Sequence, residues 1–143
     1  MQQVHVTALI NQPLSAVFAA VSDHRKFLSG GGLACHLIKK GAPDKNGLGA
    51  VRTVRSAKYT FTEEITAFVP NESFDYLITE VKPKLRLVHH NGWLEFKTEG
   101  QGTRVDWHTH FTITIPVMGW FIERAFGRQL KKIFQQRLDH LNN

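Results

Sequence analysis

Cysteine is nearly absent. Cys35 stands alone among 143 residues, so no intrachain disulfide can hold the fold together. Long apolar runs are missing too: no stretch approaches the roughly 18 residues needed to cross a bilayer. The opening residues, MQQVHVTALINQP, lack the basic-then-apolar plan of a secretion leader, which with the lone thiol predicts a reducing, cytoplasmic setting. GxSxG, HExxH and the phosphate-binding glycine loop are absent, and Gly47-Leu48-Gly49 leads into a strand, so no nucleophile or cofactor motif is in view. Recognition-helix and aromatic RNA-binding signatures are also lacking, and nucleic acid is not an expected partner. Acidic groups are the scarcer charge, 12 against 18 Lys and Arg. Half of the excess lies in residues 117–143, as the solvent face of one helix would carry it, and contact with a membrane surface is the secondary reading.

The residues present, 42% of them hydrophobic, suffice for one domain over 1–143. The strongest pattern is PVMGWFIERAFGRQLKKIFQQRLDHLNN at the C-terminus. From Ile122 onward, steps of about 100° place Phe126, Leu130, Ile133, Phe134, Leu138 and Leu141 on one face and Arg124, Arg128, Lys131 and Lys132 on the other. About 22 residues at 1.5 Å each predict a helix of roughly 33 Å. Glu123 and Arg137 interrupt the apolar face. Arg137 is expected to snorkel outward near the C-terminus, and Glu123 is either a partly solvated acid favoured by the helix dipole or a carboxylate facing a cavity. Val117, Met118, Trp120 and Phe121 fall out of phase with this helix. Pro116–Phe121 is therefore expected either as an irregular lip, gating a cavity or packing on a second subunit, or as core folded onto the sheet edge.

Upstream, Val4, Val6 and Ala8 alternate in a first strand over 3–10, and Leu14, Val17, Phe18 and Val21 follow Pro13 at helical spacing. A short second helix is predicted over His24–Leu28, ended by Gly30-Gly31-Gly32. Strands are predicted near 34–40, 50–56, 59–69, 74–81, 86–97 and 103–115, separated by Gly, Pro and Asn turns. In the last strand Val105, Trp107, Thr109, Phe111 and Ile113 should face the long helix, with Asp106, His108, His110 and Thr112 outside. The same alternation places Val88, His90, Leu94 and Phe96 inward, together with Phe74, Tyr76 and Ile78.

This order of elements resembles a known family. The segments GLGAVRTV (Gly47–Val54), TEEITAFVPNESFDYLI (Thr62–Ile78) and GTRVDWHTHF (Gly102–Phe111) are similar to the polyketide cyclase/dehydratase and lipid-transport branch of the START/Bet v 1-like (SRPBCC) superfamily. Gly49 and Arg52 match the family's glycine-then-arginine strand, Glu64 its glutamate before an apolar position, and Gly102-Thr103 with Trp107 its last strand. The resemblance implies an α+β helix-grip fold, in which a seven-stranded antiparallel sheet curls around the C-terminal helix and encloses a hydrophobic cavity. It also implies binding of lipids, polyketides or similar molecules, with cyclisation or dehydration in a minority of members.

The expected cavity residues are Arg52, Glu63, Tyr76, His90, Trp107, Phe111, Glu123, Phe126 and Leu130. Glu63 shares its strand side with Phe61 and Ile65, so burial would raise its pKa unless Arg52 pairs with it. Three readings of function follow. The first is sequestration or transport of a hydrophobic or amphipathic small molecule. The second is an enzyme of cyclase/dehydratase type using Glu63, Tyr76, His90 or Glu123 as acid or base. The third is an interaction module without a ligand. His108 and His110 share a strand face but lack further ligands at recognisable spacing, so no metal is expected. Monomer and homodimer both remain open.

Overall fold

A computed structural model describes residues 1–142. The elements are β1 (Gln2–Ile10), α1 (Leu14–Ser22), α2 (His24–Phe27), β2 (Ala34–Lys39), β3 (Val51–Arg55), β4 (Thr60–Val69), β5 (Ser73–Lys82), β6 (Leu87–Glu99), β7 (Gly102–Ile113) and α3 (Gly119–Asp139). One antiparallel sheet of seven strands runs in the order β1-β7-β6-β5-β4-β3-β2, with β1 closing back onto β7. Six consecutive strands make the meander, joined by short turns except for the eleven residues, 40–50, between β2 and β3. The first strand completes it because α1 and α2 carry the chain from one edge of the sheet to the other.

β1 shows why these residues form a half-buried strand. Val4, Val6, Ala8 and Ile10 are buried and the residues between them are exposed or nearly so. In β7 the same alternation buries Val105, Trp107, Thr109, Phe111 and Ile113. In β6 it fails. A bulge between His89 and Asn91 makes two residues oppose one on β7, which inverts every side chain on the N-terminal side of it. His90 and Val88 therefore face solvent, Val88 at 48% exposure, and His89 enters the core in place of His90.

The long helix is rotated from the orientation its large apolar residues suggest. α3 packs mainly on β1 and β7. Its buried line is Gly119, Glu123, Gly127, Phe134, Arg137 and Leu138. Gly127 permits the approach, since a Cβ there would stand 2.9 Å from Gln2 Cγ. With Gly127 against β1 and Gly119 against β7, the bulky Ile122, Phe126, Leu130 and Ile133 swing to the flank and stay only half-buried. Arg137 does not snorkel outward. It is buried, and its Nη1 donates to the Ser29 carbonyl at 3.1 Å, tying the glycine turn to the helix.

Helix α3 also begins earlier than its phase suggests. Gly119 N–H donates to Ile115 O at 2.8 Å and Ile122 N–H to Met118 O at 3.1 Å, so the irregular part of Pro116–Phe121 is confined to residues 116–118. Trp120 and Phe121 are each 58% exposed. The reading of these two aromatics as core is overturned.

Candidate functional site

The inner face of β2, β3 and β4 carries Cys35, Leu37, Val54, Phe61 and Ile65, and among them the two charges Arg52 and Glu63. Strand pairing sets Arg52 opposite Glu63. Arg52 Nε and Nη2 reach Glu63 Oε1 at 2.8 and 2.7 Å, with both side chains almost wholly buried. Arg52 Nη1 donates to His24 Nδ1 at 2.8 Å, which leaves His24 Nε2–H to donate to the Asn46 carbonyl at 2.8 Å. Burial and the facing guanidinium hold the His24 pKa down to about 3, so the imidazole is neutral. A buried charge pair is tolerated only when its remaining hydrogen-bonding sites are met, and His24 meets one of them.

A second chain of polar groups adjoins the first. The Arg52 guanidinium lies 5.0 Å over the Tyr76 ring. Trp107 Nε1–H donates to the Tyr76 hydroxyl at 2.9 Å. Behind the ring lies Gly92, where a Cβ would come within 2.3 Å of Tyr76 Cζ, so only glycine leaves room for the phenol. Ile78 N–H donates to His89 Nδ1 at 2.9 Å, and His89 Nε2 therefore carries the proton and donates to Thr109 Oγ1 at 2.7 Å. Burial, with the neighbouring His90 and His110, holds the His89 pKa down to about 4. Tyr76 is pushed up out of its usual range, by burial first and then by the Glu63 carboxylate.

Trp107 stacks on Phe134 at 3.8 Å, and Phe126 meets Phe61 at 6.2 Å and Phe111 at 5.3 Å between ring centres. Trp107–Phe134 and Phe111–Phe126 fill the interior beneath β7, and Phe61–Phe126 joins the helix to β4. Ile122, Phe126, Leu130 and Ile133 on α3 are partly exposed and form an apolar seam along the helix, and Leu33 and Leu37 at β2 are partly exposed as well. Arg52 and Glu63 are the only charges on the sheet face behind it, among the described residues.

The structure thus brings together Arg52, Glu63, Tyr76, Trp107, Phe111, Phe126 and Leu130 on the inner side. It does not bring His90 there: that ring bonds to Thr112 Oγ1 at 2.8 Å on the outside. Glu123 is inside but occupied, its Oε2 accepting the Ile113 N–H at 3.0 Å, so it closes the end of β7 instead of facing a cavity. Glu64 is exposed, and the inward acid of the pair is Glu63. His24 and His89 were not anticipated. A four-residue helix gives His24 no periodic signal, and the bulge that turns His89 inward leaves no mark beyond Gly92.

His108 lies on the outer face, stacked between His5 at 4.1 Å and Trp93 at 4.6 Å, and His110 meets the edge of Trp93. Among the described residues no group of three or more His, Cys, Asp or Glu is placed to hold a metal ion. Cys35 is buried and its pKa is pushed up to about 11, chiefly by burial, so it is a protonated, unreactive thiol. Two recesses lie away from the seam. One of about 390 Å³ is bordered by Ile78–Lys82, Lys84, Leu85 and Leu87. The other, of about 400 Å³, lies between Ala19, Phe27, Arg137 and Leu141.

An antiparallel sheet holding a long C-terminal helix, with a polar cluster inside and an apolar seam beside it, defines a helix-grip ligand-binding fold. The family described as polyketide cyclase/dehydrase and lipid transport matches residues 1–143, and the chain belongs to it. No curated protein matches the sequence. Among solved structures, TTHA0849 from Thermus thermophilus is similar at a TM-score of 0.78 and 16% identity, covering 99% of this chain and 94% of that one. A START superfamily protein from Mycobacterium smegmatis has a TM-score of 0.74 at 12% identity, with 97% and 98% covered. Ara h 8.0201 has 0.71 at 12%, with 98% and 97% covered. At such identities the likeness is one of fold. No described helix is long and apolar enough to cross a membrane.

Proposed function

We propose that this protein sequesters or carries one hydrophobic or amphipathic small molecule, of lipid or polyketide type, in the seam between α3 and the inner face of β2–β4. The observation that carries this reading is the row Ile122, Phe126, Leu130 and Ile133. These residues recur on one flank of the helix, yet the protein's own core leaves them half-covered. Apolar lining with a few convergent polar groups is the usual constitution of a small-molecule site. Here the polar groups are Arg52 and Glu63 at the inner end. Binding is favoured over acid–base catalysis because Glu63 is held by two Arg52 nitrogens and the Tyr76 hydroxyl by Trp107. A lone buried thiol suits a cytoplasmic site of action.

Titration with the fluorophore anilinonaphthalene sulfonate tests the reading. Saturable one-to-one binding is expected, and Phe126→Ser should weaken it roughly ten-fold, about 1.4 kcal/mol, part of the transfer energy of a phenyl ring. Equal affinity in wild type, Phe126→Ser and Leu37→Ser, all still folded by thermal melt, would place the bound dye elsewhere and remove the seam as a site.

A further inference from the structure

One end of the molecule is both apolar and cationic. Val117 is 92% exposed, Met118 52%, and Trp120 and Phe121 58% each. Val117 also has φ 66°, a left-handed conformation that a β-branched side chain rarely adopts, and this turn is what projects it into solvent. Four neighbouring apolar side chains in water at the start of one helix are more than scattered surface residues need explain.

The loops around this tip lie together. Thr114 N–H donates to Arg86 O at 2.8 Å, tying the β5–β6 loop to the exit of β7, and Thr60 pairs with Lys82, bringing the β3–β4 turn alongside. Lys58, Lys84, Arg86 and Arg124 are all exposed here. Arg124 lies 4.9 Å over the Trp120 ring. These loops hold no carboxylate, and the exposed Glu80 near the end of β5 has Lys82 3.4 Å away. At the far end of the sheet the loops instead mix Lys40 and Lys45 with Asp44, Glu72 and Glu99. The cationic character belongs to the end that carries the apolar tip.

We infer that this end docks on an anionic phospholipid bilayer, with Val117, Met118, Trp120 and Phe121 entering the headgroup–acyl boundary and the surrounding Lys and Arg lying against lipid phosphates. Aromatic and aliphatic side chains inserted at shallow depth, flanked by basic ones, are the chemistry of an interfacial anchor. A second copy of the chain would present the same cations to one another, which disfavours self-association through this surface. The seam begins one turn along the same helix, at Ile122, so docking would set its start at the lipid surface. Docking itself does not depend on a ligand in the seam.

Sedimentation of the full chain with vesicles tests this. Vesicles containing phosphatidylglycerol should carry the protein down and vesicles of phosphatidylcholine alone should not, with binding lost in high salt. Lys84→Ala with Arg86→Ala, both exposed and harmless to the fold, should reduce the partition coefficient roughly five-fold for each charge removed. Trp120→Ser with Phe121→Ser should abolish binding while far-ultraviolet circular dichroism stays unchanged. Equal binding to both vesicle types, or to wild type and both double variants, overturns the inference. So does a concentration-dependent dimer that the Trp120 and Phe121 changes dissolve without any vesicle binding. Dye affinity in the seam is measured separately and stands whatever the vesicles show.

Discussion

Arg52→Leu is expected to lower the folding free energy by about 3–5 kcal/mol, because it leaves the Glu63 carboxylate buried with no cation to meet it. The arginine is 2% exposed and the glutamate 7%. Three interactions go with the arginine: the guanidinium contacts at 2.7 and 2.8 Å, the hydrogen bond to His24, and the cation over the Tyr76 ring. Most of the damage comes from the stranded charge and less from the lost attraction. The double variant Arg52→Leu with Glu63→Leu should therefore recover a large share of the stability in denaturant melts. A double variant as unstable as the sum of the two single ones would mean that the pair is not coupled as drawn.

Acidification below about pH 6.5 is expected to destabilise the protein through two buried histidines. His24 is held to about 3 and His89 to about 4 against 6.5 in the unfolded chain. Between those values the unfolded state binds protons that the native state refuses, so stability falls as pH falls. The stabilisation is complete above 6.5 and is lost progressively down to about 4 for His89 and about 3 for His24. Each histidine adds a slope of up to about 1.4 kcal/mol per pH unit, so the two together approach about 2.7. His24→Gln keeps an acceptor for Arg52 and a donor for Asn46, and His89→Gln keeps an acceptor for Ile78 and a donor for Thr109. Each should flatten the pH profile by about one proton. A slope that neither substitution changes would assign the acid sensitivity to other groups.

The sheet was legible in the sequence wherever alternation ran unbroken. Phe61, Glu63 and Ile65, and Trp107, Thr109 and Phe111, face inward as their spacing requires, because one side of an antiparallel strand must be apolar when a helix covers it. His90 was misplaced since a single extra residue at a bulge reverses the parity, and bulges follow from the fit between strands. The helix face was legible in outline. Its rotation was not, because hydrophobic periodicity weighs large residues, whereas Gly119 against the Ile113 carbonyl and Gly127 against the Gln2 side chain set where the helix lies closest to the sheet. Glu123 satisfies the backbone of Ile113, a need visible only once β7 ends beside the helix. The start of α3 shows the same limit: a run of apolar residues reads equally as core or as surface until the helix is set in place.

The most direct measurement is a methyl-shift map of the isotope-labelled protein titrated with anilinonaphthalene sulfonate. If the seam is the ligand site, the methyl groups of Leu33, Leu37, Ile122, Leu130 and Ile133 move together and saturate at one equivalent, while Val4, Val6 and Val105 under β1 and β7 stay still. Shifts confined to Ile78, Val81, Leu85 and Leu87, or to Ala19, Ala20 and Leu141, would place the bound molecule in one of the two other recesses and contradict the seam.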